Sequence, residues 1–396
     1  AIVQIAALTI LTLPGNKGKV MYLSKLLNSK FKKKVLIGDK LYLHAELKSY
    51  KRGIAKFYGK GIVNDHKVCD AEFELVLPDE VDKFRIKNYH AEYIPEEQSE
   101  NPLICLNHAL AENGYSLEVE ENYKLKKVLV IYNLFTKDVK NKILNNKNEI
   151  KIKKNSELHV IEYTINESEF KFINNCYENI ILEDKSKFKN LYLQNKKSEG
   201  FFYKFLKNNL SFNSDYTCFI FSSGPRFNKL DLEFDLLDEK CNCKVFSALF
   251  LNNNEHQEIK TRINHLAPNC NSYQKVKNVL DSKSRGVFQG KIHVKDVAQK
   301  TDAYQLSKAL LLSDNAEFNS KPELEIYADD VKCSHGSTSG SVDEDSLHYL
   351  MTRGLTRKES MKLLVKGFLS DIVEYIKNPS IKKFVEKKIE EQIHEY

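Results

Sequence analysis

Cys333 and His335 are the residues whose types and spacing carry the sharpest chemical signal in this chain. They stand two apart, so in a strand both side chains project from one face. A thiolate and an imidazole placed this way form a soft, iron-accepting pair. Two ligands do not complete a cluster site. On spacing alone, a buried cysteine beside a hydrogen-bonded histidine is the simpler reading. Asp329, Asp330 and Lys332 flank the pair; they tune its charge or cap a strand turn, with capping preferred for Asp330. Cys241 and Cys243 also share a strand face. No other cysteine or histidine has a supporting spacing, so they read as structural. His256 and His265 fall in polar turns, and residue type assigns them no role. The chain has no Gly-x-x-x-x-Gly-Lys-Ser/Thr loop, so any ATPase step belongs to a partner. Gly-x-Ser-x-Gly and zinc-protease motifs are absent as well.

The elements that must position the pair follow from periodicity. Ala1–Leu13 reads as an apolar helix stopped by Pro14-Gly15; it lacks the basic start of a secretory signal. Alternating runs at 20–23, 41–47, 55–63 and 67–77 are separated by Gly38-Asp39, Lys51-Arg52-Gly53 and Asn64-Asp65, all turn chemistry. This predicts one helix followed by an antiparallel meander, a partial α+β module over 1–80. Residues 81–115 read as a charged linker ending in a short helix over 102–112.

From 116 to 340 the pattern changes to about ten short strands with almost no helix, the last at 324–327. Crossover βαβ units are thereby excluded, leaving a sandwich, a barrel or a solenoid. No fixed period chooses among them. Beyond Gly340 the pattern is helical. Ser341 with Glu344, and Thr356 with Glu359, have capping-box spacing, and Pro379 divides the last two helices.

The 396 residues suffice for two or three domains, and 42% hydrophobic with 29% charged residues excludes a disordered or fibrous chain. No apolar run approaches the roughly 20 residues of a membrane span. Eight scattered cysteines suit a reducing compartment, the cytoplasm, rather than a disulfide framework. The net charge of +7 comes without zinc-finger, aromatic RNA-binding or arginine-rich motifs, so no nucleic acid is expected. Abundant Lys and Asn with no Trp fit a coding bias.

Two family resemblances meet near residue 90. Residues 93–378 resemble the SufB/SufD family of iron–sulfur cluster assembly proteins, on its SufD side. The match runs through Arg285-Gly286-Val287-Phe288-Gln289-Gly290-Lys291-Ile292 and Ala298-Gln299-Lys300-Thr301-Asp302-Ala303-Tyr304-Gln305. It continues through Lys321-Pro322-Glu323 to Ile326-Tyr327-Ala328-Asp329-Asp330-Val331-Lys332-Cys333-Ser334-His335-Gly336. The resemblance implies a right-handed parallel β-helix core with a C-terminal helical domain. It also implies a non-catalytic scaffold role beside a SufB-like subunit and a SufC-like ATPase. On that reading Cys333 and His335 join a transient iron–sulfur cluster shared with SufB, and Thr352, Arg353, Leu355 and Met361 meet the ATPase.

Residues 1–80 resemble the C-terminal part of a FabZ-type hydroxyacyl-carrier-protein dehydratase, a hot-dog fold. The matching text is Gln4-Ile5-Ala6-Ala7-Leu8, Phe31 to Asp39, and Lys51-Arg52-Gly53-Ile54-Ala55-Lys56-Phe57. The dehydratase reading is the alternative function. It needs a catalytic His and Glu that precede the matched stretch, and His44 and His66 do not fit that motif. Lys30, Lys32, Lys33, Lys34, Lys51 and Arg52 offer a surface to an acidic acyl carrier protein, a solvated basic face being the simpler reading.

Overall fold

In the computed structural model the strands of the central region coil into a two-sheet parallel solenoid of about eight turns. The structure describes residues 2–11, 21–36, 38–51, 54–76, 84–88, 100–111, 113–195 and 197–395. One sheet stacks β6 (Tyr115–Val119), β8 (Ile143–Ile152), β10 (Ile173–Leu182), β12 (Ser198–Leu210), β14 (Pro225–Leu236), β16 (His256–His265), β18 (Arg285–Val294) and β20 (Glu317–Ile326). The facing sheet stacks β7 (Leu129–Phe135), β9 (Glu157–Asn166), β11 (Lys187–Gln194), β13 (Asp215–Ser222), β15 (Asn242–Leu251), β17 (Asn271–Leu280), β19 (Asp302–Leu311) and β21 (Lys332–Ser341). From β6 to β21 the ladders within each sheet are parallel, and consecutive strands alternate between the sheets.

The sheets face each other across an apolar interior that includes Ile150, Leu182, Phe188, Tyr216, Phe234 and Phe288. Ile173 pairs with Phe201, Phe201 with Phe227, Phe227 with His256, His256 with Arg285, and Arg285 with Glu317. Successive turns therefore take 28, 26, 29, 29 and 32 residues, a drift that hides the period from the sequence.

One corner of the solenoid repeats a single device. Asn122, Asn155, Lys185, Asn213, Lys240, Asn269 and Lys300 all have positive φ, between 51° and 62°. Their N–H groups donate up the stack: Asn155 to the Asp184 carbonyl, Lys185 to Phe212, Asn213 to Glu239, Asn269 to Gln299 and Lys300 to Asp330. Asparagine tolerates the left-handed region better than other side-chain-bearing residues. Part of the asparagine content attributed to coding bias is thus a structural requirement.

The N-terminal residues form a helix and an antiparallel sheet, as expected. Helix α1 (Ile2–Leu11) packs through Ala6 and Ile10 on an antiparallel sheet of β1 (Tyr22–Phe31), β2 (Tyr42–Lys51), β3 (Ile54–Val63) and β4 (His66–Val76), ordered β1-β4-β3-β2. The sheet is not a simple meander, because β1 pairs with β4. Asn64 and Asp65, with φ of 47° and 62°, make the tight β3–β4 turn. Glu74 of β4 is almost fully buried between Lys56 (3.2 Å) and Lys127 (2.8 Å), the latter just before β7, so this pair ties module to solenoid.

Several sequence expectations need correction. Phe84–Asn88, assigned to the linker, is strand β5, antiparallel to β6 at the edge of its sheet. The region of ten expected strands contains sixteen, β6 to β21. The six not expected are β6, β12, β16, β17, β19 and β21. His256 and His265 lie in no turn; they open and close β16. Ser341 is the last residue of β21, and the helix after it is capped by Asp343, whose carboxylate accepts from Ser346 N–H.

Three C-terminal helices follow: α3 (Glu344–Thr352), α4 (Arg357–Val373) and α5 (Pro379–Glu395). Thr356 and Glu359 make the full capping box. Val365, Leu369 and Ile372 of α4 and Val385 and Ile389 of α5 cover Phe219, Phe246 and Val279 on the outer face of the second sheet, making a second core. Lys275 and Lys277, side by side on β17, both reach Asp371 of α4, at 2.7 and 2.6 Å.

Candidate functional site

Cys333 and His335 lie on β21, the last strand of its sheet. β21 pairs with β19 on one side only, and its register sets Cys333 beside Ala303 and His335 beside Gln305. Ala303 and Gln305 are buried and face the interior, so both candidate ligands point to the inner side of an uncovered final turn. Cys333 is half-buried against Ile292, Ala303 and Ala328, while His335 is exposed. Burial, and next the Asp302 carboxylate, push the Cys333 thiol above its ordinary pKa. It rests protonated, and a cation or base must draw off its proton before it can ligate.

The strand suits an open edge: after His335 it runs Gly-Ser-Thr-Ser-Gly-Ser, all small side chains, and it carries no proline. β20, the edge of the other sheet, lies against it, so two unpaired edges end the solenoid together. Asp330 caps the corner through its backbone: its carbonyl accepts from Lys300 N–H at 2.6 Å, and its N–H donates to Gln299 Oε1 at 2.9 Å. Among the described residues, no group of three or more His, Cys, Asp or Glu side chains could hold a metal ion.

Of the four surface residues singled out, Thr352 and Arg353 end α3, Leu355 sits in the turn after Gly354, and Met361 lies in the second turn of α4. The αL turn at Gly354 (φ 96°) brings them around one bend. Arg353 is exposed and stacks 5.1 Å over the Tyr349 ring; Leu355 and Met361 are half-buried. Sequence reasoning missed the exposed apolar groups of these helices, Tyr349, Met351 and Leu363. Arg357 of α4 holds Glu344 of α3 through two bonds of 2.8 and 3.1 Å, fixing the bend.

A second polar constellation was invisible in the sequence. Between the sheets lies a cavity of about 380 Å³, lined in part by Tyr115, Asn148, Glu162, Cys176, Tyr192 and Lys204. Lys204 Nζ is 2.7 Å from Glu162 and 3.0 Å from Glu178; Tyr192 donates to Glu178 at 2.5 Å. The three charges come from β9, β10 and β12, with no local spacing to reveal them. His265 is buried, its ring 2.9 Å from Ser272 Oγ, and burial pushes its pKa down to about 3. It is a neutral corner residue. Cys241 and Cys243 do not converge on a site with His256, which pairs with Glu258 at 2.8 Å.

The comparison with known proteins decides the family. Residues 135–368 match the model described as "SUF system FeS cluster assembly, SufBD core domain", more than half of the chain. The chain belongs to the SufBD family. It is 32% identical over 191 residues to the iron-sulfur cluster assembly protein SufD of Escherichia coli, covering 48% of this chain and 45% of that protein. To an iron-sulfur cluster assembly SufBD family protein of Synechocystis it is 33% identical over 153 residues, 39% of this chain and 34% of the relative. To the chloroplastic protein ABCI7 of Arabidopsis thaliana it is 27% identical over 234 residues, 58% and 49% of the two chains. The chain thus spans less than half the length of each of these relatives. The SufBD match covers the solenoid from the end of β7 to α4, including the open edge with Cys333 and His335. These matches do not point to a dehydratase. No helix among the described residues is long and apolar enough to cross a membrane.

Proposed function

We propose that this SufBD-family chain is a non-catalytic, SufD-like scaffold subunit of iron–sulfur cluster assembly. It pairs with a SufB-like subunit through the β20–β21 end of the solenoid and binds a SufC-like ATPase with the α3–α4 bend. The observation that carries this reading is the placement of Cys333 and His335 on one inner face of an unpaired edge strand. An open edge extends a sheet into a second chain by backbone hydrogen bonds. That pairing brings the partner's thiol beside the Cys333–His335 face and completes the ligand set that this chain lacks. Iron and sulfide are cargo here, held transiently between subunits. Cys333 supplies a soft donor once its proton is lost, and His335 supplies a ring nitrogen.

The test is co-expression with SufB- and SufC-like partners, measuring complex yield and the iron, sulfide and visible absorbance of the purified assembly. His335→Ala should leave the complex intact and lower its cluster content. Cys333→Ala should have a similar or smaller effect, because the partner's thiol remains. Wild-type cluster content in the double variant would make the pair structural only.

A further inference from the structure

The corner that turns the first sheet into the second repeats one small hydrogen bond. Ser186 Oγ donates to the Glu183 carbonyl at 2.6 Å, Ser214 Oγ to Ser211 at 2.7 Å, and Thr301 Oγ1 to Ala298 at 2.8 Å. In the two turns between Ser214 and Thr301 the hydroxyl gives way to a thiol. Cys241 Sγ donates to the Asp238 carbonyl at 3.0 Å, and Cys270 Sγ reaches that same carbonyl at 3.2 Å. A second carbonyl, that of Ser211, lies 3.1 Å from Cys241 Sγ. Asn242 and Asn271, the next residues, are Cα partners, and Asn271 N–H donates to the Cys241 carbonyl at 2.8 Å. The two cysteines therefore stand one above the other, with both thiols directed at the Asp238 carbonyl. Both are buried. Ser214 shows that a hydroxyl meets the structural need of this corner, so two adjacent thiols add something a hydroxyl does not.

We propose that Cys241 and Cys270 form a binding site for a divalent thiophilic cation, held between the two sulfurs with the Asp238 and Ser211 carbonyls as further donors. Neighbouring parallel strands are about 4.7–4.9 Å apart, and in-register Cβ atoms share that spacing. It exceeds the roughly 3.5–4.5 Å between the Cβ atoms of a disulfide. Two metal–sulfur bonds of about 2.3 Å span up to about 4.6 Å, which suits a bridging ion. On binding, two S–H bonds break, two metal–sulfur bonds form and two protons leave to solvent; nothing is oxidised. A divalent ion makes the bis-thiolate neutral. A monovalent ion would leave an anion facing carbonyl oxygens, which this corner disfavours. Lys240, Asn242, Asn269 and Asn271, which flank the two buried cysteines, line an outer groove of about 750 Å³ beside them.

The test titrates the full chain with Cd2+ as probe, reading the sulfur-to-cadmium charge-transfer absorbance and the protons released. Wild type should take up one ion at this site with release of two protons. Cys241→Ser and Cys270→Ser should each lose that band while keeping the wild-type melting profile, since serine already serves this corner. Cys333→Ser should retain it. A band of equal size in wild type and both variants would overturn the proposal, as would its absence from the wild-type chain.

Discussion

Glu162 and Glu178 share one cation, the Lys204 ammonium, inside the solenoid. Two carboxylates against one ammonium cannot both be fully compensated. The fold resolves this unequally. Burial, and next the charge of Glu178, push the Glu162 pKa up to about 7. Glu178 is lowered despite its own burial, because Lys204 and the Tyr192 hydroxyl hold it in its charged form. The native state therefore holds a proton on Glu162 that the unfolded chain releases above its ordinary value of 4.5. Stability falls as pH rises from about 4.5 to 7 on this account, by about 3 kcal/mol. Glu255, also raised to about 7 by burial, adds to the same slope. Glu162→Gln should flatten the profile in that window and raise stability above pH 7, as read by urea melts at several pH values. An unchanged slope would remove Glu162 as its source.

Asp371 is the anchor of the C-terminal helices. Lys275 and Lys277 are nearly buried beneath α4, and Lys277 also donates to the Phe368 carbonyl at 2.8 Å. Asp371→Ala leaves two adjacent ammonium groups without their counter-charge. The expected cost is about 1–3 kcal/mol, smaller at high pH because Lys277, lowered by burial, loses its proton more readily than an exposed lysine. The check is the denaturation midpoint together with proteolytic release of α4 and α5. Protection equal to wild type would show that the apolar contacts alone hold these helices.

Gly290 answers a packing demand inside the last turns. A Cβ there would sit 2.2 Å from Gln305 Oε1 and 2.7 Å from the Phe288 ring. Gln305 is the register partner of His335, so the clash displaces the strand beside the candidate ligands. Gly290→Ala should destabilise by about 1–3 kcal/mol and disturb the β21 edge. Thermal melting tests the first part, and amide exchange of β21 the second.

How far the sequence reveals this molecule depends on what faces inward. β18 and β15 carry apolar inner faces, and alternation finds them. β17 fails that test because Gln274 and Asn278 point into the solenoid while Lys275 and Lys277 point outward under α4. β12 fails because Lys204 and Asn208 are interior. β21 offers only lysine, serine, glycine and threonine beyond its Cys and His, so neither propensity nor pattern marks a strand. Cys333 and His335 stand out in the sequence by their two-residue spacing only together with the family motif around them; spacing alone favours a structural pair. Cys241 with Cys270, and Glu162 with Glu178 and Lys204, do not stand out at all. Each set is joined only by stacking one turn on the next, across intervals that drift.

The α3–α4 bend carries the last prediction. Removing residues 341–396 would uncover Phe219, Phe246 and Val279 on the second sheet, so a truncation cannot separate lost docking from a lost core. Point changes can. Arg353 is exposed and Leu355 half-exposed, neither belongs to the buried clusters, and the Arg357–Glu344 pair holds the bend without them. Arg353→Glu and Leu355→Asp should each leave the melting profile within about 0.5 kcal/mol of wild type, as exposed substitutions do. Together they should weaken co-purification of a SufC-like ATPase at least tenfold, about 1.4 kcal/mol, while leaving SufB pairing intact. Met361→Ala, at the half-buried side of the same patch, should give a smaller loss. If ATPase recovery is unchanged in the Arg353→Glu, Leu355→Asp double variant, the docking surface lies elsewhere on the chain.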